Sequence, residues 1–342
     1  MKGEIDEWAV GAKREAGTVA DDGRSPLRVF ITVDVELWPT SWENYRREFQ
    51  DCYRRYILGD TGRGAYGLPF QVRMARDHGL RFTFLVESLF SCEFGRGPLV
   101  DIVGLIDEAG QDIQLHAHPE WVRHSASPIL DTGGRFTFAQ FTLDEQRCLI
   151  DAALANLREA GAKNVRAFRA GSFAANADTL TAVSQAGLKV DTSFKLGCDL
   201  GCAPMVEHEI NAETDKLIEY PLSTYQDYPG GCRHLQLSAC SFDEIAFVLE
   251  SAWQNRWAAV VLLSHSAELL NEDRSRPDRI VVRRLERLCR FLADRRERYV
   301  TSHLSDGNGK SPLAGAPWSP IRSTRWRTVV RIGEQALRKL TS

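Results

Sequence analysis

A β/α barrel, closed or nearly closed, is the fold class this sequence predicts, and three observations carry that expectation. Short β-branched runs recur along the chain and end in polar residues, as buried parallel strands emerging at a polar face do. Most of these runs alternate with segments of helical periodicity, the pattern of strand–helix units on a parallel sheet. Seven or eight such units fit between residues 27 and 304, enough to curl a sheet round on itself; an open doubly wound sheet is the alternative.

Strands are predicted at Val29–Glu36, Arg81–Ser88, Asp112–His118, Arg166–Gly171, Lys189–Phe194, Leu217–Leu222, His234–Ala239 and Ala258–His265. Helices are predicted at Leu68–His78, Leu99–Ala109, Leu143–Ala160, Ala177–Ala186, Phe242–Asn255 and Asp278–Arg295. In the third of these, Leu149, Ala153, Leu157 and Ala160 recur at helical spacing and Gly161 supplies the stop. Residues 1–26 read as a loosely held leader and 305–317 as a linker rich in Gly, Pro and Ser. Residues 318–342 form a basic amphipathic tail. In it Trp326, Val329, Val330, Gly333, Ala336, Leu337 and Leu340 share one helical stripe, with Arg327, Arg331, Glu334 and Arg338 opposite. Six basic residues and one acidic give this tail a net charge of +5. Such a helix either docks on its own barrel or makes a peripheral contact with an anionic membrane.

Composition narrows the function classes. The chain has 342 residues, 43% hydrophobic and 26% charged, proportions of a globular protein rather than a disordered or fibrous one. A net charge of −3 provides no chain-wide field for a polyanion, which argues against nucleic acid as the main partner. Eight cysteines at irregular spacings, the closest grouping being Cys198 and Cys202, predict reduced thiols. The N-terminal stretch lacks the apolar run of a secretory signal, and no apolar stretch of about 18 residues occurs, so a cytoplasmic location is expected.

Chemistry is suggested where polar residues interrupt the strands. Asp34 and Glu36 stand two apart at the end of the first strand, so both carboxylates project from one face; His116 and His118 do the same at the end of the third. Either doublet alone is also what a solvated strand end shows. Together, at the strand ends that border active sites in parallel β/α folds, they form a divalent-metal constellation. Imidazole and carboxylate donors with room for water suit catalytic zinc, or nickel or cobalt, better than calcium. Arg169 closes another strand, where it either makes an ordinary salt bridge or holds Asp34 ionised. Asn176 reads as a helix cap. His265, ending the last apolar run, is either a structural histidine or a proton donor.

The ordered set TVDVE (Thr32–Glu36), RFTFLVE (Arg81–Glu87), DIQLHAHPEW (Asp112–Trp121), FRAGSFAAN (Phe168–Asn176) and LLSHS (Leu262–Ser266) resembles the polysaccharide deacetylase, or NodB-homology, superfamily over about residues 28–270. Within it the chain is most similar to the divergent bacterial branch found with exopolysaccharide genes. The resemblance implies a distorted (β/α)7 barrel and a metal-dependent hydrolase that removes acetyl groups from N-acetylated sugars. It makes Asp34 the catalytic base, His118 a metal ligand, Arg169 the partner of the base and His265 the catalytic acid. Two departures follow. Val35 stands where the family has a second aspartate, so Glu36 is the substitute ligand, and Gln114 stands where the first histidine belongs, so His116 serves instead. Trp38, Trp121 and Tyr225 are candidates to stack on a sugar ring, with core packing as the alternative. Rival readings are a deformylase or other deacylase of a nucleotide- or lipid-linked sugar, a catalytically silent saccharide-binding barrel, and an assembly factor recruiting through the tail.

Overall fold

The computed structural model describes residues 24–196, 217–307 and 320–341. Most of the leader, most of the linker, and Cys198 and Cys202 lie outside the described residues. Eight strands build one sheet: β1 (Leu27–Val35), β2 (Phe82–Glu87), β3 (Asp112–Ala117), β4 (Ala167–Ala170), β5 (Val190–Asp191), β6 (Ile218–Glu219), β7 (Ala259–His265) and β8 (Tyr299–Thr301). Their order is β7-β1-β2-β3-β4-β5-β6, with β8 pairing the start of β1, and every pairing is parallel.

The sheet curls because its two faces bury different cores. Along β1 the odd residues Val29, Ile31, Val33 and Val35 join the outer core, whereas Phe30 joins a second cluster with Leu85, Val190, Leu222, Val261 and Leu263 inside the curl. This two-sided burial explains why the strands read as near-continuous apolar runs. Between β6 and β7 irregular backbone closes the gap: Ser223 N donates to Val261 O at 3.2 Å, and Leu237 N to Leu263 O at 2.9 Å. The result is the distorted (β/α)7 barrel, nearly closed.

The outer layer includes α1 (Tyr45–Cys52), α2 (Leu68–Asp77), α3 (Gly97–Asp107), α4 (Leu143–Glu159), α5 (Ala177–Gln185), α6 (Phe242–Gln254) and α7 (Arg279–Ala293). Capping boxes start three of them, from Thr142 to Glu145, Asn176 to Thr179 and Ser241 to Glu244. Asn176 is thus the cap its position predicts. A last helix, α8 (Arg325–Thr341), folds back onto the barrel.

Several expectations need correction. The predicted strands Lys189–Phe194 and Leu217–Leu222 shrink to two residues each: at Ser193 the ladder is interrupted, its N–H donating to Asp191 Oδ2 at 2.8 Å, and pairing resumes only as an isolated bridge, Lys195 to Leu222. Of the predicted strand His234–Ala239 only His234 is in one, the two-residue strand Arg233–His234 paired antiparallel with Thr224–Gln226; Gln236 adds one bridge, to Leu263, at the closing seam. Neither α1 nor β8 was foreseen, being too short to show a period. Cys232 is disulfide-bonded, whereas Cys52, Cys92, Cys148, Cys240 and Cys289 are free, so the expectation of reduced thiols throughout fails. Pairing follows proximity in space, which sequence spacing does not report.

Candidate active site

Alternation along the strands decides what meets at the carboxyl end of the barrel. Phe30, Thr32 and Asp34 are the inward members of β1, and Glu36 continues that phase one residue past its end. Val35, out of phase, is buried in the outer core. In β3 His116 follows the same rule and His118 lies just beyond the strand. Gln114, deeper in the strand, is consumed by structure: its side chain donates to Asp112 at 2.8 Å and accepts from the backbone N–H groups of Arg166 and Ala167 at 2.7 and 2.6 Å.

The four doublet residues share one cavity of about 410 Å³, whose lining also includes Trp38, Ser172, Phe173, Lys195, His234, Gln236 and His265. Glu36 Oε2 stands 2.9 Å from His118 Nε2 and 3.3 Å from His116 Nε2, and the two imidazole nitrogens are 3.1 Å apart. Tetrahedral coordination with bonds of about 2.0–2.1 Å sets donor atoms roughly 3.3 Å apart. Glu36, His116 and His118 therefore fit a divalent ion, and among the described residues they form the cluster with that geometry. Each imidazole is held from behind. His116 Nδ1 donates to the Arg169 carbonyl oxygen at 2.8 Å, which aims Nε2 at the cluster; His118 Nδ1 is 3.3 Å from Glu120 Oε2.

Electrostatics follow from this packing. Burial alone would raise Glu36, but hydrogen bonds from His116 and His118 hold it well below the usual carboxylate range. Burial works against a charged His118, yet the carboxylates of Glu120 and Glu36 push it up to about 10. Beneath, Glu87 is raised to about 7 by burial and accepts from the backbone N–H groups of Leu89 and Phe90.

Asp34 pairs with Arg169, Nη1 to Oδ1 at 2.6 Å, both side chains buried. The guanidinium is over-determined: it also donates to Thr32 Oγ1, Thr192 Oγ1 and the Thr192 carbonyl, each at 3.1 Å. Beside Asp34, on the adjoining strand, His265 is its ladder partner. Its Nε2 is 3.9 Å from Glu36 Oε1, and behind it Glu268 accepts from the His265 backbone N–H at 3.0 Å. Burial opposes a charged His265, but Glu268 raises it to about 9, and Glu268 itself, despite burial, is held at about 2 by His265, Ser238 and Gln236.

Two of the proposed sugar-stacking aromatics are corrected. Trp121 and Tyr225 are fully buried. Trp121 sits within a cluster of Trp38, Trp42, Tyr45, Phe90 and Phe94, and the Tyr225 hydroxyl points at Cys240. Trp38 does reach the cavity, its ring edge-on to His118 at 4.6 Å. Glu120, Glu268, Gln236 and Lys195 were missed. For the two acids a signal existed, a carboxylate two or three residues beyond a candidate histidine.

No protein-family model matches this chain, and no curated protein matches it. Solved structures similar to it are carbohydrate esterases and polysaccharide deacetylases. A Mycobacterium smegmatis protein described as a polysaccharide deacetylase aligns over 84% of this chain and 90% of its own, at 15% identity and a TM-score of 0.49. A family 4 carbohydrate esterase from Streptomyces lividans, in complex with acetate, aligns over 87% and 98%, at 13% identity and 0.41. A pseudoenzyme of the same esterase family from Bacillus anthracis aligns over 83% and 66%, at 10% identity and 0.41.

Proposed function

We propose that this protein is a metal-dependent hydrolase that removes an acetyl group from an N-acetylated sugar. One observation supports the reading above the rest: a Glu-His-His donor cluster shares a cavity with a buried Asp34–Arg169 pair and with a histidine backed by its own carboxylate. Those are the parts that amide hydrolysis requires: a site for a Lewis acid, a proton acceptor and a proton donor.

Glu36, His116 and His118 would hold the ion, for which zinc, nickel or cobalt suits the donor set. When bound, such an ion polarises the acyl carbonyl and lowers the pKa of water from about 15.7 toward 7. Asp34 receives the water proton, and Arg169 holds that side chain in place. His265, kept protonated by Glu268, donates to the departing amine. Trp38 and Lys195 line the same cavity and supply an indole and an ammonium group for a sugar.

The test is acetate release from N-acetylglucosamine oligomers by zinc-loaded protein. Turnover should disappear with a chelator, return with added metal, and fall by about 10²–10⁴ in Asp34→Asn. Saccharide binding with no acetate release under any of the three metals would instead establish a silent binding barrel.

A further inference from the structure

Helix α8 is docked inside out. Its charged face, not its apolar one, meets the barrel: Arg331, only 4% exposed, reaches Asp227 at 2.8 Å and Glu244 at 3.1 Å. Glu334 receives Arg284 at 2.6 Å, and Arg338 pairs with Asp278 at 2.5 Å while donating to the Ser238 carbonyl at 2.9 Å. The apolar stripe consequently faces solvent, with Trp326 72%, Val329 57%, Ile332 54% and Leu337 51% exposed. These four account for much of the large hydrophobic surface exposed among the described residues.

Beside the stripe lies a hollow of about 460 Å³ between the end of α8 and the start of α7. Arg63, Arg276, Arg279 and Arg283 line it, all exposed and none in an ion pair among the described residues. The acid in its wall, Asp278, is already taken by Arg338. The acids nearest Trp326, Asp243 and Glu250, are paired with Arg287 and Arg298.

We propose that α8 and this arginine hollow together form a seat for an anionic membrane surface, the stripe entering the interface and the guanidinium groups taking lipid phosphates. The charge pattern selects this occupant: an apolar line beside unpaired cations fits a bilayer interface rich in phosphate, with Trp326 suited to its boundary. A second copy of the chain would bring the same unpaired arginines against each other or leave them unused. The area also argues against it, since a 17-residue helix about 25 Å long and 10 Å wide offers roughly 250 Å², against about 800 Å² per partner in a stable interface.

The experiment is co-sedimentation of the full chain with phosphatidylcholine vesicles, with and without phosphatidylglycerol. Binding is expected only with the anionic lipid and should weaken in high salt. Trp326→Ser with Leu337→Ser, and separately Arg279→Gln with Arg283→Gln, should each lower it about ten-fold or more. All four positions are solvent-facing, and an unchanged thermal midpoint checks that the variants fold. No sedimentation with anionic vesicles, equal sedimentation with both lipids, or undiminished binding by either double variant overturns the proposal. So does a dimer in light scattering that the stripe variant dissolves, which would make the stripe a protein interface. Competition by soluble glycerol phosphate that abolishes binding completely would reassign the hollow to a free phosphate ligand.

Discussion

Gly171 lies so close to the imidazole of His118 that a Cβ on it would stand 2.5 Å from Nδ1. The glycine in FRAGSF is therefore a matter of space rather than of turn conformation: only a hydrogen fits between the loop after β4 and the ring. Gly171→Ala should push His118 off its donor position and lower zinc affinity by about 10–100-fold, as loss of a ligand's support does. Isothermal titration with zinc measures this, and an unchanged affinity would detach His118 from the metal site.

Metal uptake should also release protons. His118 is held at about 10 in the metal-free protein, so at neutral pH it carries a proton that a ligand nitrogen must give up. Titrations at pH 7 in buffers of different ionisation enthalpy should show net release on zinc binding, and affinity should rise with pH. His116→Ala and His118→Ala should contain no stoichiometric metal.

Arg169 divides into two roles that mutation separates. Its backbone carbonyl holds His116, while its side chain neutralises buried Asp34. Arg169→Met should thus keep the metal but lose about 3–5 kcal/mol of stability, because a buried carboxylate is left without its cation. Chemical denaturation alongside elemental analysis checks both halves.

The pair of His265 and Glu268 sets a pH profile. His265 titrates at about 9 when folded against 6.5 for the free side chain, so its stabilising contribution is full below pH 6.5 and is lost as pH rises through about 9. Glu268, at about 2 against 4.5, contributes above pH 4.5, and that contribution is lost as pH falls through about 2. Turnover that needs a protonated His265 should decline above about pH 9. Glu268→Gln should move that alkaline limb down toward 6.5, read from kcat against pH.

Two tryptophans should behave oppositely. Trp121→Ala empties a buried site within an aromatic cluster and should cost about 3–5 kcal/mol of stability. Trp38→Ala, at the cavity wall, should chiefly raise KM for an oligosaccharide.

The contrast between those residues shows what the sequence could and could not convey. Asp34 with Glu36, and His116 with His118, were legible because a two-residue step on a strand keeps one face, whatever surrounds it. Trp121 and Tyr225 were misjudged because an aromatic ring after a strand suits a core or a sugar equally, and only the packing of Phe90, Phe94 and Cys240 decides. Glu120 and Glu268 stand just beyond the strand ends, where the two-residue alternation stops, so only their nearness in sequence to His118 and His265 marks them. The charged face of α8 turned inward because its partners, Asp227, Glu244 and Arg284, come from remote stretches of chain.

Asp34 and His265 are matched residues of adjoining parallel strands, tied by the same ladder that carries Ile31 beside Leu262. In the proposed reaction the group that accepts a proton and the group that returns one are thus spaced by backbone hydrogen bonds rather than by a closing loop. Their separation is set by the sheet itself, before any substrate arrives.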